Sequence, residues 1–395
     1  MRLLLPALLL LTTTSHAQSW QQLPDFLGTA RDDASAFVIG SDIYVGTGME
    51  VGWAVTNDWY RYDAVNATWQ QVASLPANGR QYCTAFSIDG TGYLFGGTDG
   101  TNLLNALWAY DPTSNSWNAK AALPAAGRSS SSSFVIAGQA YIVLGRYGPD
   151  DAISNACWRY DRATDTWEQR ASYPGAGRLL ANAFSDGTFG YVIGGQDSSA
   201  TGVADGYRYD PVADEWTSIP DLPGIGRFDG FGAFGTTHGF MLGGTTNYDP
   251  CCLAEAWSYD PTTTSWTAMT GLPNGDRKGG VAAFVPQIGL FMGTGLESGT
   301  TRHQDWWLLA TDVGISEEVP PTWTLVPNPG TESFTLSGTM GTVNIHVTDT
   351  QGRNVIAAQR NSGGSIDAQG WCKGLYLVTV TDAAGRSYRV RWIKQ

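Results

Sequence analysis

The chain has 395 residues, of which only 15% are charged, against roughly a quarter in ordinary soluble domains, and it carries 49 glycines and 16 tryptophans. That mixture excludes a disordered chain, which is aromatic-poor, and argues against a helical bundle, because Gly costs about 1 kcal/mol in a helix interior. A formal charge of -13 disfavours nucleic acid as a partner, since phosphate contacts need a net basic face.

At the amino end, Arg2 precedes the apolar run Leu3 to Leu11, and Ser15-His16-Ala17 sets small residues before a cut ahead of Gln18. Residues 1–17 therefore read as a secretory signal peptide, the run being too short to span a bilayer. No Cys follows the cut, and no later stretch approaches 18 apolar residues, so neither a lipid anchor nor a transmembrane segment is expected. Five cysteines without CxxC spacing support neither a disulfide scaffold nor a zinc site. The adjacent Cys251 and Cys252 read as two reduced thiols in preference to a strained vicinal disulfide.

From residue 20 the chain repeats. Trp20, Trp69, Trp117, Trp167, Trp216 and Trp266 recur at spacings of 49, 48, 50, 49 and 50. Arg31, Arg80, Arg128, Arg178, Arg227 and Arg277 keep step with them, and a Tyr-Asp pair stands seven residues before five of the tryptophans, at 62-63, 110-111, 160-161, 209-210 and 259-260. Each unit divides into four short strands separated by Gly, Asp and Pro turns, as an antiparallel blade requires. Units that bury their faces only against neighbours close radially.

The double glycines Gly96-Gly97, Gly194-Gly195 and Gly243-Gly244, with the Tyr-Asp pair and the Trp beyond, resemble the Kelch repeat over about residues 20 to 312. Blades one, three and six depart from it, with Val45-Gly46, Leu144-Gly145 and Met292-Gly293 in place of the pair. Blade six offers Trp306 to Leu309 as its third strand but no fourth-strand Trp, whereas Trp20 stands before the first complete unit. The expectation is an all-β fold: a six-bladed Kelch β-propeller over 18–314 closed by the N-terminal strand, a linker at 315–322, and a small C-terminal β-sandwich at 323–395.

In that tail, Pro327-Asn328-Pro329, then Asp349 with Gly352 and Arg353, then Gly374 and Tyr376 resemble the type A sorting domain of type IX secretion, carried by Bacteroidota. The resemblance implies export across the outer membrane, with the type IX machinery as partner and a secreted or cell-surface location. Charge divides accordingly: Lys and Arg outnumber Asp and Glu seven to four from Pro320 onward, whereas residues 18–319 hold 15 against 32.

Strand parity puts the longer second-to-third loops and the blade crossings on one face, where binding groups collect. The six arginines begin the innermost strands and are expected to ring the axial mouth there. Neighbours about 10 Å apart would repel by roughly 1.7 kcal/mol at an effective dielectric near 20. Such a ring needs carbonyls, carboxylates or an anionic ligand to answer it; a residue repeated in every blade reads first as a tie between adjacent blades through backbone carbonyls, with anion recognition as the alternative. Glu50 and Trp53, Arg146 and Tyr147, and Arg302 and His303 break the repeat and suit sugar stacking or protein contacts. His238 lies in a turn on the opposite face from His303, so no two histidines converge on copper or zinc, and no metal or cofactor is implied. The reading is a Kelch binding protein for a glycan or an extracellular protein, with an anionic group as one possible target. The alternative is a carbohydrate-active enzyme resembling the N-acetylneuraminate epimerases, with Glu50 or Glu297 as its acid-base group.

Overall fold

The computed structural model describes residues 19–246, 252–298 and 301–310, and in the tail 324–337, 342–349, 353–361, 365–381 and 387–395. The expected signal peptide and linker, with Cys251 and Gly352, lie outside the described residues. Six four-stranded antiparallel sheets occupy Trp20 to Leu309. Blade one is typical, with strands Ser35–Ile39, Asp42–Gly46, Trp59–Asp63 and Thr68–Val72 in that order. The sixth sheet runs Val281–Val285, Gly289–Gly293 and Trp306–Leu309, and its outermost strand is Trp20–Leu23, with Trp20 opposite Leu309 and Leu23 opposite Trp306. Val281, Ala283 and Val285 of blade six share one core with Ile43 and Val45 of blade one, so the two ends of the series pack together.

The period-49 markers are bonds between and within blades. Each repeated Trp sends its indole N–H to a carbonyl just past the outer strand of the preceding blade: Trp69 to Pro24, Trp117 to Ala73, Trp167 to Ala121, Trp216 to Ala171, Trp266 to Pro220 and Trp20 to Gly271, all at 2.8–3.1 Å. The Tyr of the Tyr-Asp pair packs on that Trp, with ring centroids 4.8–5.1 Å apart. The Asp accepts a backbone N–H two residues on, as Asp63 does from Val65 and Asp210 from Val212, which fixes the tight turn into the outer strand.

The double glycine ends the second strand with two residues at positive φ, 63° and 87° at Gly96 and Gly97. A Cβ on Gly96 would stand 2.5 Å from the Arg128 carbonyl oxygen. Positive φ locates the counterparts in blades one and six at Thr47-Gly48 and Thr294-Gly295, two residues beyond the expected Val45-Gly46 and Met292-Gly293. In every blade the N–H of the second residue of this pair donates to the repeated Arg carbonyl of the next blade, from Gly48 to Arg80 through to Gly295 to Arg31, at 2.7–3.0 Å.

The tail forms two sheets, one of Thr324–Val326, Ser333–Ser337 and Ser365–Asp367, the other of Asn354–Asn361, Thr342–Asp349, Gly374–Thr381 and Ser387–Lys394. Phe334 and Trp392 meet between them, 4.5 Å apart. The sorting motifs hold this sandwich together. Asn328 bonds the backbone of Arg391 and Ile393, Arg353 pairs with Asp349 at 2.7 Å, and the Tyr376 hydroxyl donates to the Cys372 carbonyl. Cys83, Cys157 and Cys372 are free, whereas Cys252 is disulfide-bonded, which overturns the expectation of a reduced thiol there.

The indole ties carry a direct test. Trp20→Phe removes the N–H to Gly271 together with part of the indole ring and should lower the unfolding free energy by about 1 kcal/mol or more, with Trp20→Ala costing about 3. Urea unfolding of the two variants measures this, and no loss in either would contradict the role given to Trp20.

Candidate functional site

The six repeated arginines do not ring the mouth with free guanidinium groups. All are buried, with Arg31, Arg227 and Arg277 fully so. Each donates through Nη1 to the carbonyl at the first position of the double-glycine turn in its own blade, Thr47, Gly96, Leu144, Gly194, Gly243 or Thr294, at 3.0–3.4 Å. Four also meet a carboxylate at the entry to the third strand: Asp58 at 2.6 Å, Asp205 at 2.6 Å, Asp305 at 2.7 Å, and Glu255. Burial alone would raise the Asp58 and Asp305 carboxyls, but the hydrogen bonds and charge of Arg31 and Arg277 outweigh it and hold both below 3.8. In blades two and three Ala106 and Ala156 fill that position, so Arg80 and Arg128 have no such carboxylate, and burial lowers both guanidinium pKa values. The side chain thus pins its own blade, while its backbone carbonyl ties the preceding one.

The mouth is built instead by the residues just after each Arg. Asp33, Tyr82, Ser130, Leu180, Asp229 and Gly279, two places on, all have φ between 53° and 57°. Five of them donate to the carbonyl of their counterpart one blade back: Asp33 to Gly279, Gly279 to Asp229, Asp229 to Leu180, Leu180 to Ser130 and Ser130 to Tyr82, at 2.8–3.0 Å. These six, with the residue following each, line an axial well of about 140 Å³. Tyr82, Ser130 and Leu180 also line an adjoining pocket of about 790 Å³ on the loop face, where Gln81, Thr98, Thr101, Asn102, Ser129 and Arg146 present polar groups.

Charges gather on one side of the well. Lys278 pairs with Asp229 at 2.9 Å and Arg302 with Asp32 at 2.7 Å, all four side chains being buried. Burial tends to strip the Lys278 proton, but Asp229 and Asp33 outweigh it and push its pKa up. Burial raises the Asp32 carboxyl despite Arg302. Arg302 in turn lies under the ring of Trp53, 5.4 Å from its centroid, and Trp53 is 73% exposed.

The structure therefore brings Trp53 and Arg302 together, with Arg302 on Asp32, the residue before the well-lining Asp33, and sets Arg146 in the adjoining pocket, with Asp151 3.5 Å away. Tyr147 lies half-exposed in the short strand opposite Arg128. Glu50 is committed to Arg31 at 3.3 Å and accepts the Thr29 hydroxyl. His303 faces Glu297 at 3.1 Å and Asp305 at 3.9 Å. Among the described residues no group of three His, Cys, Asp or Glu side chains could hold a metal ion. Asp32, Asp33, Tyr82, Asp229 and Lys278 went unnoticed in the sequence reading. Their signal was available in the two places after each repeated Arg, which read Asp-Asp, Gln-Tyr, Ser-Ser, Leu-Leu, Phe-Asp and Lys-Gly.

With this architecture in view, the molecule is a Kelch-repeat β-propeller protein. Residues 6–176 match the KLHDC2/KLHL20/DRC7 Kelch-repeats domain and residues 191–223 the Kelch motif. Residues 324–395 match the secretion system C-terminal sorting domain, so the chain is a Kelch protein that carries the type IX export signal for the cell surface or the medium. A solved structure titled "Structure of YjhT" is similar over 74% of this chain and 98% of its own, with a TM-score of 0.64 and 19% identity, a likeness of fold. No curated protein matches the chain.

The two kinds of buried Arg should respond differently to replacement. Arg277→Met strands the Asp305 carboxylate and should cost about 3 kcal/mol or more, whereas Arg128→Met leaves no carboxylate behind and should cost about 1. Equal losses in denaturant titrations would contradict the account.

Proposed function

We propose that the protein is an exported Kelch propeller that binds a glycan at the loop-face mouth of its axis. The observation carrying this reading is Trp53, a largely exposed indole held over Arg302, whose guanidinium is fixed by Asp32, the neighbour in sequence of the well-lining Asp33. An indole face kept rigid at low entropic cost suits the apolar face of a sugar ring. The adjoining pocket, rich in hydroxyl and amide groups, suits the hydroxyls. The buried arginines leave no free cationic ring, so anion capture by those six residues is not part of the proposal. The sorting domain, with the signal peptide expected from the sequence, fits an encounter with such a ligand outside the cell.

A glycan screen with the exported protein tests this. Trp53→Ala should weaken the selected glycan about tenfold or more while leaving the melting temperature unchanged, because the side chain is exposed. Undiminished affinity would place the ligand elsewhere.

The carbohydrate-active alternative rests on Glu297 and His303, a carboxylate–imidazole pair on the same face. Proton-exchange NMR on reducing sugar acids checks it. Accelerated anomer exchange that Glu297→Gln abolishes would favour catalysis, and exchange at the uncatalysed rate would exclude it.

A further inference from the structure

The charges around the axial well do not cancel. Asp33 and Asp229 line it, Asp32 and Lys278 stand next in sequence to its lining residues Asp33 and Gly279, and the two neighbouring cations, Arg302 and Lys278, are held by Asp32 and Asp229. Asp33 is left over. It is 6% exposed, it lines the well, and neither carboxylate oxygen has a hydrogen-bond partner. Tyr82 is the neighbour whose hydroxyl acts on this carboxyl, and Lys278 acts on it through its charge. A buried carboxylate without donors is expensive to retain, so the position calls for a ligand.

Three features narrow the class. The missing interactions are donors to two oxygens, and the missing charge is positive. The space is about 140 Å³, enough for a small head group but not for a sugar ring with its substituents. An ammonium supplies three N–H donors and one positive charge in that volume. A hydroxyl pair would satisfy the oxygens but leave the charge uncompensated. The surrounding body is acidic, with 32 Asp and Glu against 15 Lys and Arg over residues 18–319, which favours approach of a cation.

We propose that the axial well is a receptor for a primary ammonium group and that the glycan bound at Trp53 is an amino sugar with a free amine, held by the Asp33 carboxylate. This rests on the glycan reading and specifies its ligand. It also fixes a pH dependence. Burial, then the neighbouring Asp229 and Asp32 carboxylates, raise the Asp33 pKa well above 3.8, and Lys278 and Tyr82 moderate the rise. The Cys83 thiol, also lining the well, is pushed up to about 12 by burial and stays neutral. Affinity for an ammonium should therefore climb as pH rises through the Asp33 pKa and fall again where the amine loses its proton. The free protein follows the opposite sign. A carboxyl raised in the folded state costs stability as pH rises from 3.8 through the raised value.

The test is calorimetric titration of the exported protein with a β-1,4 glucosamine tetramer and with its fully N-acetylated counterpart. The free-amine form should bind about tenfold more tightly, with the bell-shaped pH profile. Asp33→Asn should abolish the preference and the profile yet retain binding of the acetylated form. Asn tolerates the φ of 54° at this position, so the variant should fold. It should also melt at a higher temperature than the parent at pH values above the raised Asp33 pKa, with no difference near pH 3. Trp53→Ala should weaken both tetramers. Equal affinity for the two by the parent protein, or a preference that survives Asp33→Asn, would overturn the ammonium assignment while leaving glycan binding standing. If neither tetramer binds and the wider glycan screen is also blank, the glycan reading itself fails.

Discussion

Everything on the loop face depends on how the wedges are tied to one another. Two sets of bonds run round the ring, one from each indole N–H to the blade before, the other from each double-glycine turn to the Arg carbonyl of the blade after. Both include the step between the ends of the series, through Trp69 to Pro24 and Gly295 to Arg31. A sheet that bonds on both flanks cannot rotate without breaking something, and an unmet buried amide or carbonyl costs about 1–3 kcal/mol. The strand from the amino end also covers what would be an open sheet edge.

Tight coupling at the rim leaves the axis with little choice. The residue two places after each Arg is held at positive φ, where most side chains are strained, and its N–H is drawn to its neighbour's carbonyl in five of the blades. Side chains at those positions are consequently aimed by the scaffold and not by their own packing. Four blades place Asp, Tyr or Ser there, and one of these, Asp33, has carboxylate oxygens without a hydrogen-bond partner. The pattern is that of a rigid frame presenting a few unsatisfied groups, the arrangement binding sites use to limit the entropy lost on association.

The same physics explains what could be read from sequence. Fold and blade rhythm were legible because Trp, Tyr-Asp, Gly-Gly and Arg each perform one geometric task six or nearly six times. Their side chains answer to the frame, so they repeat. For the arginines the sequence left two roles open, ties through backbone carbonyls and an anion-binding ring; in the fold the guanidinium fork matches the turn carbonyl and, in four blades, a third-strand carboxylate, and is buried there. Trp53 and Arg302 stood out because they break the repeat. Asp33 did not, since nothing in Arg-Asp-Asp marks which carboxylate is answered by Arg302 and which is left alone. That distinction arises from residues about 270 positions apart.

A crystal structure of the exported protein soaked with a partly deacetylated chito-oligosaccharide would examine the central claim most directly. The account requires a sugar ring lying on the Trp53 indole with its amine in the axial well against Asp33. Saccharide density along an outer strand or on the opposite face, with the well empty, would contradict it.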